Sequence, residues 1–141
     1  MHLLWSLIGT IAVGATIQWQ PAPGPLLTRW AKEVSPDNVW QAYPRPQLVR
    51  RCDWHCLNGL WNYAIRQKDD SRPTSWDGKI LVPFCVESAL SGVKKQVGPE
   101  HRLWYHRSFS ISKPAPNRRW LLHFGAVDWE ATVWVNAIKV G

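Results

Sequence analysis

This sequence predicts an all-β fold, an antiparallel β-sandwich or jelly roll. Three observations point there. First, no stretch beyond residue 57 sustains a helical apolar period, whereas short apolar and aromatic runs recur. Second, turn signals separate these runs: Asp77-Gly78, then Pro83, then Pro114-Ala115-Pro116-Asn117. Third, one run alternates well, placing Leu103, Tyr105, Arg107, Phe109 and Ile111 on one face. Several short strands joined by such turns are the mark of a sandwich.

Composition sets the outer bounds. A chain of 141 residues has room for one domain of ordinary size. With 45% hydrophobic and 19% charged residues it can bury a core, and disorder is not its main state. A (β/α)₈ barrel, which needs about 250 residues, is excluded. The net charge is +7, from 17 basic and 10 acidic residues. The basic residues are dispersed, and Arg50-Arg51, Lys94-Lys95 and Arg118-Arg119 are isolated pairs. Such pairs are ordinarily solvated surface, so a nucleic-acid or anionic-polymer binder is only the weakest alternative and no nucleic-acid partner is expected. The 11 tryptophans stand out more, since flat apolar rings suit cores, sugar stacking and partner surfaces.

In chain order, residues 3–15 are apolar and uncharged, yet too short for a comfortable span, which takes about 20 residues. Val13 and Ala15 form a small-residue cleavage pattern, so residues 1–15 read as a signal peptide. The start, Met1-His2, lacks Lys or Arg, and an apolar strand or short membrane anchor is the alternative. Export predicts a secreted or periplasmic protein with no membrane attachment after cleavage.

Residues 16–46 are a proline-rich wrap containing Pro21, Pro23, Pro25, Pro36, Pro44 and Pro46. A single helical turn is expected over residues 30–34, ended before Pro36, with Trp30 and Trp40 as anchors. Residues 47–141 form the sandwich, with strands predicted over 57–66, 79–86, 103–112, 119–128 and 131–140. Complete sandwiches and jelly rolls have about seven or eight strands. The last predicted strand also lacks a polar cover for its edge. The expectation is the front part of a longer fold, with residues 16–46 as the other possible source of the missing strands.

The three cysteines, Cys52, Cys56 and Cys85, leave at least one unpaired. A zinc site built on Cys52, His55 and Cys56 needs a second ligand pair, and none is present, so small core thiols are expected and no metal or cofactor. Neither a Gly-x-Ser-x-Gly elbow nor a phosphate-binding glycine loop occurs. His106 and His123 fall mid-strand.

Six runs occur in a telling order: Tyr43-Pro44-Arg45-Pro46-Gln47; Leu57-Asn58-Gly59-Leu60-Trp61-Asn62-Tyr63; Ile80-Leu81-Val82-Pro83-Phe84 with Glu87-Ser88; Leu103-Trp104-Tyr105 with Arg107 and Phe109; Leu122-His123-Phe124-Gly125-Ala126-Val127-Asp128; and Val133-Trp134-Val135-Asn136. Together, over about residues 26–141, they resemble the N-terminal sugar-binding domain of glycoside hydrolase family 2. That family includes β-galactosidases, β-glucuronidases and β-mannosidases. The resemblance implies a galactose-binding-like jelly roll, incomplete at its C-terminus. It implies Trp61 packed between sheets, a close backbone approach at Gly59, and a strand that buries Trp104 and presents Tyr105.

The pattern also departs from the family. Asn136 is followed by Ala137 where the family has glycine, and a type I′ turn there needs positive φ at Ala137, at about 1–2 kcal/mol. The turn is therefore either of another type or strained. The family's His-x-Gly-Gly-Tyr segment does not follow, and its two catalytic glutamates lie in a C-terminal barrel. No residue here corresponds to them, so the chain is expected to be inactive alone, as the supporting part of an enzyme that hydrolyses O-glycosyl bonds. Its implied partners are a β-glycoside, met through the complete enzyme, and the missing C-terminal domains. A stand-alone carbohydrate-binding module, using rings such as Trp76 or Trp129, is the alternative.

Two candidate contact points follow. Glu87 and Ser88 come after Pro83, on a loop at the sandwich end, and could meet substrate or form an inter-domain salt bridge. Asp128 and Glu130 flank Trp129. They read either as a hydroxyl clamp beside a stacking ring or as turn carboxylates that accept local backbone N–H groups.

Overall fold

The computed structural model describes residues 19–24, 26–40 and 54–141. The signal-peptide reading, the Tyr43-to-Gln47 run and Cys52 lie outside the described residues. The all-β class holds. Strands β1 (Gly59–Gln67), β2 (Gly78–Val82) and β3 (His101–His106) form one antiparallel sheet in the order β2-β1-β3. Strands β4 (Trp134–Val135) and β5 (Ile138–Lys139) form an antiparallel ribbon. Helix among the described residues is limited to short 3₁₀ turns at Arg29–Glu33 and Ala89–Ser91.

Strand alternation decides which side chains meet. β1 sends Trp61, Tyr63 and Ile65 to one face, opposite Ile80, Tyr105 and Leu103 respectively. There Tyr63, Ile80 and Val86 are buried, with Trp61, Ile65, Val93, Val97 and Leu103 packed around them. The other face carries Leu60, Asn62, Ala64 and Arg66, opposite Leu81, Lys79, Trp104, His106 and Arg102. Ala64 and Leu81 are fully buried on that side, so both faces of the sheet are covered in part.

Strand ends follow local chemistry. β2 stops at Val82 and does not run to residue 86, because Pro83 has no N–H for the ladder. β3 ends at His106, since Arg107 turns to another task. Its guanidinium donates to the carbonyls of Leu57 and Asn58 at 2.7 and 2.8 Å, clamping the entrance to β1. Gly59 sits under this clamp with φ +121°, and a Cβ there would lie 3.1 Å from Arg107 Nη1 and 3.4 Å from the Pro36 carbonyl. The close approach expected at Gly59 is thus present.

The C-terminal third departs from expectation. Residues 119–128 form no strand among the described residues, and Leu121, Leu122 and Phe124 stay exposed. β-propensity is realised only against a partner, and here none is paired. The strand expected over 131–140 folds instead as the β4–β5 hairpin. Its turn has φ 49° at Asn136 and 68° at Ala137, the strained form of the two possibilities. Trp134 of the hairpin stacks on Trp104 at 5.5 Å and 23°, which sets the ribbon against the second face of the sheet.

In the wrap, the helical turn forms at Arg29–Glu33 and ends at Val34, before Pro36. Trp30 and Trp40 are not its anchors: they are 51% and 58% exposed, while Ala31 and Val39 are buried. A 3₁₀ turn rotates successive residues by about 120°, so burying Ala31 points Trp30 away. The Arg29 guanidinium caps that ring at 4.3 Å.

Candidate functional site

Glu87 and Ser88 lie in the turn after β2, just past the buried Val86. Ser88 caps the following 3₁₀ turn: its hydroxyl accepts from Leu90 N–H at 3.1 Å, and its carbonyl accepts from Ser91 Oγ at 2.7 Å. Ser91 is fully buried, and its oxygen also accepts from Val93 N–H at 3.0 Å. The turn closes at Gly92, whose φ of +82° and tight packing under Trp19 exclude a side chain. A well-tied turn therefore presents the exposed Glu87.

Tyr105 comes from β3 to the same neighbourhood. Its partial burial, with the negative charges available to Cys85 and Glu87, pushes the phenol up to about 12. The hydroxyl keeps its proton at neutral pH and can only donate or accept hydrogen bonds. Trp61 meets Tyr105 edge-on at 6.5 Å and 82°. The group offers an acceptor in Glu87, a donor in Tyr105 and an aromatic edge, which suits holding hydroxyls better than moving protons. The family resemblance implies that this strand presents Tyr105. Its nearness to Glu87 depends on how residues 83–100 fold back, and no local pattern shows that.

Asp128 and Trp129 sit elsewhere, on the exposed arm before β4. Trp129 is 86% exposed. Asp128 makes no side-chain hydrogen bond among the described residues. No hydrogen bond, ion pair or ring contact there joins this corner to the Glu87 turn. The sequence-predicted residues thus form two separate points.

On the second face of the sheet, Trp76 is half-buried and stacks on His106 at 5.0 Å and 16°. Asn62 Nδ2 donates to His106 Nδ1 at 3.2 Å. Beyond them, the Arg66 guanidinium is consumed by Asp77 Oδ1 at 2.7 Å and the carbonyls of Ser75 and Ile65. Among the described residues no group of three or more His, Cys, Asp or Glu could hold a metal ion, and Cys56 and Cys85 are free thiols. No helix of the described residues is long and apolar enough to cross a membrane.

Comparison with known proteins adds a distant similarity. The chain is 21% identical over 98 residues to the β-glucuronidase of Streptococcus agalactiae serotype V, covering 68% of this chain and 16% of that protein. It is 22% identical over 104 residues to the β-glucuronidase of Paenibacillus borealis, covering 70% of this chain and 17% of that protein. The matched region is therefore about one sixth of the length of these curated relatives. No family model matches the chain. Its similarity is to glycosidases, at the level of remote homology.

Proposed function

We propose that this chain is the N-terminal, non-catalytic carbohydrate-binding and supporting region of a family 2 glycoside hydrolase. The parent activity is hydrolysis of O-glycosyl bonds, with a β-glucuronide as the substrate suggested by the relatives' names. One observation carries the reading: about 70% of the chain aligns with β-glucuronidases, and the ordered runs that resemble the family, which take in parts of all three sheet strands, support it. In this reading the sheet and ribbon are parts of a jelly roll, exported to the periplasm or the exterior. The apolar arm over residues 109–140 then packs against later strands of the same polypeptide. Catalysis belongs to a barrel carrying two carboxyls about 5–5.5 Å apart, the spacing that retaining hydrolysis requires. Glu87, Ser88, Asp128 and Trp129 are the residues proposed to face sugar or the barrel.

The test is to read the coding sequence that follows the Gly141 codon. A Gly-Gly-Tyr segment, closing strands and a barrel with two glutamates are expected. A following sequence with no barrel overturns the proposal.

A further inference from the structure

We infer that the second face of the sheet holds a shallow binding site for an acidic saccharide, formed by Lys79, Asn62, His106 and Trp76. The inference rests on the carbohydrate reading above and adds to it a location on the sheet where the acidic sugar is held. Strand register supplies the geometry. Asn62 on the central strand lies directly opposite Lys79 on one side and His106 on the other. The three side chains form one transverse row. With neighbouring strands about 4.8 Å apart, the row is about 10 Å long, roughly the reach of a pyranose ring and its substituents.

Each position contributes a different chemistry. Lys79 is exposed, has no ion-pair partner among the described residues, and brings a point charge with three donors. Asn62 spends its N–H on His106 Nδ1, which leaves its carbonyl oxygen free to accept from a hydroxyl. The same bond occupies Nδ1, and Nε2 is the ring nitrogen of His106 left to meet a ligand. The Trp76 indole, braced against the imidazole, is a flat wall for the C–H face of a sugar. Next along β3 from His106, Trp104 stacks with Trp134 on the Ala64 side of the row.

The charge balance selects an acidic ligand. Lys79 and the exposed Arg102 share this face, while the carboxylate of Asp77 is already bound to Arg66. A nucleic acid is not favoured, because phosphate tracking needs several cations along a stripe and this row has one, at its end.

The test is a titration of the purified chain with methyl β-D-glucuronide and, separately, methyl β-D-glucoside, followed by NMR of the indole N–H and Asn side-chain amides. The Trp76 and Asn62 signals are assigned with Trp76→Phe and Asn62→Gln. The glucuronide is expected to shift both signals, with the glucoside about fivefold weaker. Lys79→Ala, at an exposed position, is expected to remove that preference, since a screened ion pair of about 1 kcal/mol corresponds to a factor near five. Added salt is expected to act in the same direction. Equal binding of the two sugars, or shifts at Trp129 without Trp76, overturns this site while leaving the carbohydrate reading in place. A following sequence without a barrel overturns the parent reading whatever the titration gives.

Discussion

Ala137 is the residue whose replacement gives the cleanest prediction. It sits at φ 68°, after Asn136 at φ 49°, in the two-residue turn between β4 and β5. Left-handed backbone costs an alanine about 1–2 kcal/mol, and glycine escapes that cost while losing about 0.5–1 kcal/mol more chain entropy on ordering. Ala137→Gly is therefore expected to stabilise the hairpin by about 0.7 kcal/mol, close to a factor of three in its opening equilibrium. Val135 and Ile138 are 43% and 69% exposed, so little burial resists local opening and the turn has a large say. The reporters are the amides of Val133, bonded to the Gly141 carbonyl at 2.7 Å, and Val140, bonded to the Val133 carbonyl at 2.9 Å. Both should exchange with deuterium about threefold more slowly in the variant. Asn136→Gly should change exchange less, because asparagine tolerates this region of φ. Unchanged or faster exchange in Ala137→Gly would refute the strained-turn argument.

Further outcomes follow from the core and its ties. Ile80→Ala empties a fully buried position in a small cluster, and denaturant titration should show a loss of about 2–5 kcal/mol. Ser91→Ala strips hydrogen bonds from the backbone of Ser88 and Val93 at a buried site, at about 1–3 kcal/mol by the same measurement. Asp77 accepts from the Ile65 N–H and from Arg66, which hold its carboxyl below its ordinary value of 3.8. A lowered folded pKa stabilises the fold above the unfolded value, and the contribution is lost as pH falls through the folded one. Thermal melts at pH 7, 4 and 3 should therefore show a smaller acid-side loss for Asp77→Asn than for the parent chain.

The parts of the fold legible in the sequence were those decided locally. The turn ahead of Pro36 and the strands begun near residues 57, 79 and 103 depend on a few neighbouring residues, and each is present, although the strands expected to reach 86 and 112 stop at Val82 and His106. Residues 119–128 have a strand's composition, but a strand exists only with a partner, and pairing is a property of the whole chain. Trp30 and Trp40 were misjudged as anchors because ring size says nothing about which side of a turn is buried. At the candidate site, Glu87 and Ser88 could be singled out by their place after Pro83. Their surroundings could not, because Tyr105 reaches Cys85 and Glu87 only through the fold of the sheet. The row of Lys79, Asn62 and His106 is likewise a product of register, since the three residues lie far apart in sequence and belong to three strands.

The most direct measurement adds 4-nitrophenyl β-D-glucuronide to the purified chain and follows nitrophenolate release and protein signals together. The account predicts saturable shifts at the sheet with no release above the enzyme-free rate. Turnover by this chain alone would contradict it, because the carboxyl pair would then have to lie within these residues.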